Sequence, residues 1–477
     1  MTARLLHYSD VENAFDDPER IGRLAGLLTG LDGDDAVVVG SGDNTAPGVL
    51  SLVTEGRHSL SFFEAVDADF DTFGNHDFDY GPAVTRELVA DSPQTWLTAN
   101  VEEETPTTAT DGGADDQQAV GVGDAERFAS EHTEPWVVRD VDGVSVGFFG
   151  VTTPATNSIN PNATDVAFAD PIAAGERAAA ACRDAGAECV VAVSHLGTED
   201  DALAVAADVD VVLGGHVHSE KVERVDDAVL LRPGVNGRIA YEVALDVDDD
   251  GEVTVDVTRH EAASADVHEG VAEAMREAMA RADLNEVVAY VEDPIERTQA
   301  AAFRGESRIG NFVADAYRWA TGADVALQNS GGVREGDPLE GDVTIADVMS
   351  VVPFQEPVAV AELTGAELKQ TITQAHGANL SFGEPDWWHA HLSGATVVWD
   401  RERDEIIALR VDGELVDDDA TYTLATTDYL FHTEHEFPVL DESHRVDLGD
   451  VQYKVLAAYA RENGLDPQLE GRVAWSD

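Results

Sequence analysis

The chain has 477 residues, 43% of them hydrophobic, and sets 29 basic side chains against 94 acidic ones for a formal net charge of −65. That length suits two or three domains, and that charge argues against nucleic acid and against anionic membrane surfaces as partners. The acids are spread along periodic apolar runs rather than gathered in a tail, and only Lys221, Lys369 and Lys454 are lysine. This is the composition of a folded protein adapted to high salt, where a Debye length of about 3 Å at 1 M tolerates the self-repulsion. The first residues, MTARLLHYSD, enter a strand at 4–8 with no charged and apolar leader. Secretion is therefore not expected, and a cytoplasmic location is. Residues 16–30 predict a helix with Asp17 as N-cap and Pro18 at its first position. A buried strand follows at 36–40, a helix at 60–66 and a strand at 70–74. Residues 102–130 are acidic, polar and aperiodic, and read as an exposed, flexible insertion. Strands are predicted at 144–151, 189–195 and 209–216, a helix over 170–185, and antiparallel strands near 239–247. Cys182 and Cys189 read as a reduced, buried pair. A polar, Ala-rich helix without a strong apolar face occupies 264–283 and looks like a connector. From about 285 a second α/β unit begins, with a helix at 308–322 and strands at 324–329, 358–363, 391–400 and 422–430. No run approaches the ~20 apolar residues of a membrane span.

The chemistry lies at the strand ends of the first half. Asp10 and Glu12 follow the first strand, Asp43 the second, and Asn75, His76 and Asp77 the third. His195 ends a fourth, and His216 and His218 follow a fifth. Taken singly, each has a bland reading: an Asp after a strand is a turn former or a cap, and "GHVH" is a surface loop. Taken together they form a metal centre, because open α/β sheets bind ligands outside their carboxyl strand ends. Carboxylate, imidazole and one amide suit borderline divalent ions such as Mn²⁺, Zn²⁺, Co²⁺ or Fe. The donors are too many for one tetrahedral ion, and two ions ~3.5–4 Å apart sharing a carboxylate would use them all. Such a pair suits in-line hydrolysis of a phosphate ester.

The ordered set Asp10, "GSGDN", "GNHDFDYG", "SHLG" and "GGHVH" resembles the calcineurin-like metallophosphoesterases, and within them the 5′-nucleotidases. Residues 306–334, 351–357 and 363–368 resemble the C-terminal domain of that family. The resemblance covers nearly the whole chain outside 102–130. It implies an N-terminal metallophosphoesterase β-sandwich flanked by helices, in α/β/β/α layers, over 1–263. A linker helix (264–284) would join this to a C-terminal α/β substrate-binding domain (285–477). Carried over residue by residue, it makes Asp43 the bridge between two divalent ions. Asp10 and His218 would bind one ion, and Asn75, His195 and His216 the other. His76 would stabilise the leaving oxygen, with Asp77 orienting its ring. Asn329 and Arg334 would touch the sugar or phosphate side of a nucleotide. Phe354 and Tyr429 would sandwich its base, although simple core packing serves these two rings equally well.

The sequence departs from the family in three places. Glu12 stands where the family has His, either as an oxygen ligand or facing solvent. The segment 426–440 lacks the family's "GGDG", and His435 stands in place of an acid. Phe303 replaces an arginine, with Arg304 and Arg308 as the neighbouring candidates. The expected activity is hydrolysis of nucleoside 5′-monophosphates or related nucleotides through a metal-bridging hydroxide. The alternatives are a 2′,3′-cyclic nucleotide phosphodiesterase on the same scaffold, and a non-catalytic nucleotide binder with a degraded metal site. The partner expected is a small-molecule nucleotide or phosphoester; the oligomeric state is open.

Overall fold

Residues alternate between two cores along the strands of the first half, and this alternation sets the layers. The computed structural model describes residues 2–31, 33, 36–104, 126–248, 251–379, 386–433 and 435–476. In the strand Cys189–His195, Cys189, Val191 and Val193 enter one core, while Val190 and Ala192 enter another. The strand Val144–Thr152 does the same with Phe148 and Phe149. A strand buried on both faces carries a continuous apolar run, as these do.

The chain divides into two compact units, Met1–Met279 and Ala280–Asp477. The first unit contains a seven-stranded and a six-stranded sheet. In the first sheet, Thr2–Tyr8, Ala36–Gly40, Phe70–Thr72 and Thr95–Leu97 run parallel, and Ile239–Val247 joins them antiparallel. In the second, Val144–Thr152, Cys189–His195, Val211–Gly214 and Ala228–Pro233 are parallel neighbours. Leu5, Val37, Val39 and Phe70 of one sheet and Phe148, Val191, Leu213 and Leu231 of the other share one core. The helix Pro171–Asp184 covers the outer face of the second sheet through Ala178, Ala179 and Cys182. Outside the first sheet, Phe62 of the helix Leu60–Ala65 meets Tyr8 edge-on at 5.5 Å. Asp17 caps the helix Pro18–Leu31, accepting from the amides of Glu19 and Arg20 at 3.0 and 3.1 Å. The layers are therefore α/β/β/α.

The second unit is also α/β. Its five-stranded sheet runs Ala390–Ser393, Val325–Asn329, Thr421–Thr427, Pro357–Thr364, Arg445–Val451. Val325 and Leu327 face one core and Ala326 the other. The helix Arg308–Thr321 starts on Ser307, whose hydroxyl accepts from the amide of Gly310, and ends on Gly322 in the left-handed region. It packs Ile309, Phe312, Val313 and Tyr317 against Leu456 and Ala460 of the helix Gln452–Asn463.

Three sequence readings change. The run 391–400 is two strands, not one: Ala390–Ser393 lies in the five-stranded sheet and Ala395–Asp400 in a four-stranded one, with Gly394 turning the chain at φ +73°. The helix Glu269–Arg281 does carry an apolar face, burying Val271, Ala272, Met275, Ala278 and Met279. Small alanines between acids hide that stripe from a composition-based reading. Of the insertion read at 102–130, residues 105–125 lie outside the described residues. At its edges Val101–Glu103 pairs with Val166–Phe168, and Phe128 is fully buried. Both cysteines are free and buried. Among the described residues, no helix is long and apolar enough to cross a membrane.

Candidate metal centre

The carboxyl ends of strands from both sheets of the first unit meet at one place. Asp10 and Glu12 leave the strand Thr2–Tyr8, Asp43 leaves Ala36–Gly40, and Asn75 leaves Phe70–Thr72. His195 closes Cys189–His195, and His216 and His218 follow Val211–Gly214. Among the described residues, two groups of side chains could each hold a cation: Asp43, His195 and His216, and Asp10, Glu12 and His218. Within each group the candidate ligand atoms all lie within 4.8 Å of one another. The two groups adjoin, since the amide of His216 donates to Asp10 Oδ1 at 3.1 Å.

Local contacts aim these atoms. His195 Nδ1 meets the Ser41 carbonyl at 2.8 Å, which places its proton on Nδ1 and leaves Nε2 facing Asp43 Oδ2 at 3.0 Å. Asp43 Oδ1 accepts from the amide of His76 at 2.7 Å. A Cβ on Gly74 would stand 2.1 Å from that same oxygen, so only glycine admits the approach. His218 Nε2 lies 2.9 Å from Glu12 Oε1 and 3.8 Å from Asp10 Oδ1. Asn75 is 5% exposed, and its Oδ1 has no hydrogen-bond partner. A buried amide oxygen with no protein donor fits the role of a cation ligand. Asp10, Glu12, Asp43 and His216 all hold left-handed backbones, with φ of +48°, +43°, +52° and +71°. Such conformations cost about 1–2 kcal/mol each and gather where function demands them.

The electrostatics point the same way. Burial pushes the Asp10 carboxyl up to about 7. Burial also works to raise Asp43, but His195 and His76 override it and hold that carboxyl low. Burial opposes charge on His195 as well, yet Asp43 lifts it to about 10. Burial, aided by His195, lowers His216 to about 4. The Glu12 carboxylate, accepting from the His218 ring, raises His218. Protons on His195 and His218 thus answer a carboxylate charge that divalent cations would answer instead.

His76 stands apart from both groups. The sequence reading gave Asp77 the task of orienting its ring, and the structure corrects this. His76 Nδ1 meets both oxygens of Asp79, at 3.1 and 3.0 Å. Residues 76–78 form a 3₁₀ turn, in which side chains three apart share a face and adjacent ones do not. Burial would lower the His76 pKa, but Asp79 and then Asp43 raise it to about 10. Asn160 holds this turn in place, donating to the Asn75 carbonyl at 2.7 Å and to Asp79 Oδ1 at 2.9 Å. Asp77 instead fastens the Asp43 loop. Its Oδ2 accepts from the amides of Asp43 and Gly74 at 3.0 and 2.7 Å, and its Oδ1 from the Thr45 hydroxyl at 2.6 Å.

In the second unit the predicted residues form separate contacts. Asn329 Nδ2 donates to Glu436 Oε2 at 3.0 Å, and both side chains are buried. The Arg334 guanidinium sits 4.9 Å over the Phe354 ring. Phe354 and Tyr429 pack against different cores. Arg308 is tied down by the backbone: Nε donates to the Pro467 carbonyl at 2.9 Å, and Nη1 to Asp293 and Pro294 at 2.9 and 3.1 Å. Arg304 is exposed. Phe303 stacks on Trp387 at 4.2 Å with His389 against its edge. Sequence reasoning missed Asp79, Asn160 and Glu436. Asp79 follows His76 by three residues, a spacing that pairs the two only in the 3₁₀ turn the structure shows. Glu436 stands one position beyond His435, where the acid was sought.

Comparison with known proteins places both units among described families. Residues 3–220 match the family model for calcineurin-like phosphoesterase, and residues 287–442 the model for the 5′-nucleotidase C-terminal domain. The trifunctional nucleotide phosphoesterase protein YfkN of Bacillus subtilis is 26% identical over 92% of this chain, which spans 32% of that protein. The 5′-nucleotidase of Rattus norvegicus is 22% identical, with 99% of this chain and 90% of that protein covered. The crystal structure of a 5′-nucleotidase precursor from Thermus thermophilus shares the fold, with a TM-score of 0.76 at 23% identity over 100% of this chain and 99% of that one.

Proposed function

We propose that this chain, a calcineurin-like phosphoesterase domain joined to a 5′-nucleotidase C-terminal domain and so a metal-dependent phosphoester hydrolase, removes phosphate from nucleoside 5′-monophosphates or related nucleotides. The observation that carries the proposal is the pair of adjoining ligand groups, Asp43–His195–His216 and Asp10–Glu12–His218. Asp10, Glu12 and His218 would hold one ion, and Asn75, His195 and His216 the other. Asp43 would serve both. When bound, two divalent ions polarise phosphoryl oxygens and acidify a water for attack at neutral pH. Manganese suits the oxygen-rich first group.

The remaining work falls to this chain's own side chains. His76 carries a proton that Asp79 stabilises at Nδ1. Its Nε2 is then the atom that donates to the departing ester oxygen. In the second unit, Arg334 and Arg304 would offer charge to the nucleotide, and Asn329 a hydrogen bond once its amide leaves Glu436. The rings of Phe354 and Tyr429 offer stacking faces to its base.

Glu12 decides how complete the first group is. Glu12→Gln keeps the volume and removes the charge. Titrating Mn²⁺ into the metal-free variant should show one of two sites weakened at least about tenfold. Two unchanged sites would mean that Glu12 is not a ligand.

The function is tested with p-nitrophenyl phosphate, its bis ester, nucleoside 5′-monophosphates and 2′,3′-cyclic nucleotides, in Mn²⁺ and high KCl. Preferred hydrolysis of the monophosphates is expected. Preference for the cyclic nucleotides would favour phosphodiester chemistry. Binding without turnover of any of them would leave a nucleotide-binding protein. The proposed setting is a cytoplasm at high salt, in keeping with the charge of −65 and two free buried thiols. Melting in the same buffers should rise steeply toward ~1 M KCl, as screening shortens the range of repulsion; a flat response would remove the high-salt reading.

A further inference from the structure

Beneath the ligand loops lies a carboxylate that the proposed reaction does not use. Asp71, in the middle of the strand Phe70–Thr72, has no exposed surface. A central strand position normally buries an apolar side chain, and a buried carboxylate persists only where donors surround it. Asp71 is well surrounded. Its Oδ1 accepts from the amides of Gly42 and Thr72 at 3.1 and 2.9 Å. Asn44 Nδ2 reaches both of its oxygens, at 3.1 and 3.0 Å, and the Tyr8 hydroxyl meets Oδ2 at 3.4 Å.

Asn44 passes the connection on. It is fully buried, and its Oδ1 accepts from the amide of Val11 at 3.3 Å. The points held are informative. Gly42 and Asn44 flank Asp43, and Val11 lies between Asp10 and Glu12. All three of those acids sit on left-handed backbones, at φ +52°, +48° and +43°. Such backbones persist only where the surroundings over-determine them. The neighbouring strand makes room for the device: a Cβ on its Gly40 would stand 2.2 Å from Asp71 Oδ2.

We infer that Asp71 and Asn44 act as one positioning unit, which fixes the spacing between the loop carrying Asp10 and Glu12 and the loop carrying Asp43. The inference rests on the two-ion reading of the centre. Neither residue touches the reacting groups, so their effect appears first in metal affinity.

The test is calorimetric titration of Mn²⁺ into metal-free protein, with melting of each metal-free form recorded beside it. Asn44→Asp keeps the shape and the acceptor for Val11, but turns a carboxylate against Asp71. It should weaken Mn²⁺ binding about 10–100-fold, the usual effect of losing a partner behind a ligand. The exchange Asn44→Asp with Asp71→Asn restores a donor–acceptor pair of the same overall charge, and should recover most of the lost affinity. A role in stability alone would lower melting and leave Mn²⁺ affinity alone. Wild-type affinity in Asn44→Asp, or an exchange no better than Asn44→Asp, would overturn the inference. Should Asn44→Asp fail to fold, Asn44→Ala replaces it and must show the same loss. Wild-type protein that binds no Mn²⁺ would count against the two-ion reading itself, and so separates the two failures.

Discussion

Asp43→Asn should strip the centre of ions and lower kcat/KM on the order of 10³-fold or more, because several kcal/mol of charge stabilisation disappear with the ions. Asparagine is the right probe: the residue sits at φ +52°, which Asn tolerates better than Ala. The side chain keeps its shape, so the backbone amide of His76 still has an acceptor. What vanishes is a buried negative charge shared by His195 on one oxygen and the His76 turn on the other. Metal analysis of the purified variant checks the claim. Two ions per chain with near-normal turnover would mean that Asp43 does not bridge.

His76→Ala should separate chemistry from metal binding. The ring contributes to neither ligand group and is held from behind by Asp79, so both ions should stay while kcat falls about 10²–10⁴-fold, the range for a positioned general acid. Asp79→Asn should move kcat in the same direction by less, since the ring keeps a hydrogen-bond partner but loses the charge that keeps it protonated. Asp77→Asn should instead weaken metal binding, because Asp77 accepts from the amide of Asp43. Steady-state kinetics beside metal content tells these apart. Loss of ions in His76→Ala, or a kcat within about tenfold of wild type, would remove the acid role.

The ligand positions were legible because each follows an apolar run, and Asp, Asn and His at successive strand ends are chemically conspicuous. What could not be read depended on local geometry. Asp79 serves His76 only because the chain makes a 3₁₀ turn there. Asp71 looked like any polar residue in "DFDTF", and its role appears only when Gly42 and Asn44 fold over it. Arg308 resembled a free cation until backbone carbonyls distant in sequence claimed it. Gly394 sat inside a continuous strand pattern, and its left-handed backbone sends the two halves to different sheets. In the second unit, aromatic residues serve packing and stacking alike, so Phe354 and Tyr429 could not be assigned from pattern.

Anomalous diffraction from Mn²⁺-loaded crystals tests the central claim most directly. Two peaks are predicted, one against Asp10, Glu12 and His218 and the other against Asn75, His195 and His216, with Asp43 between them. A single peak, or a second one that leaves Asn75 without a cation, would contradict the two-ion centre.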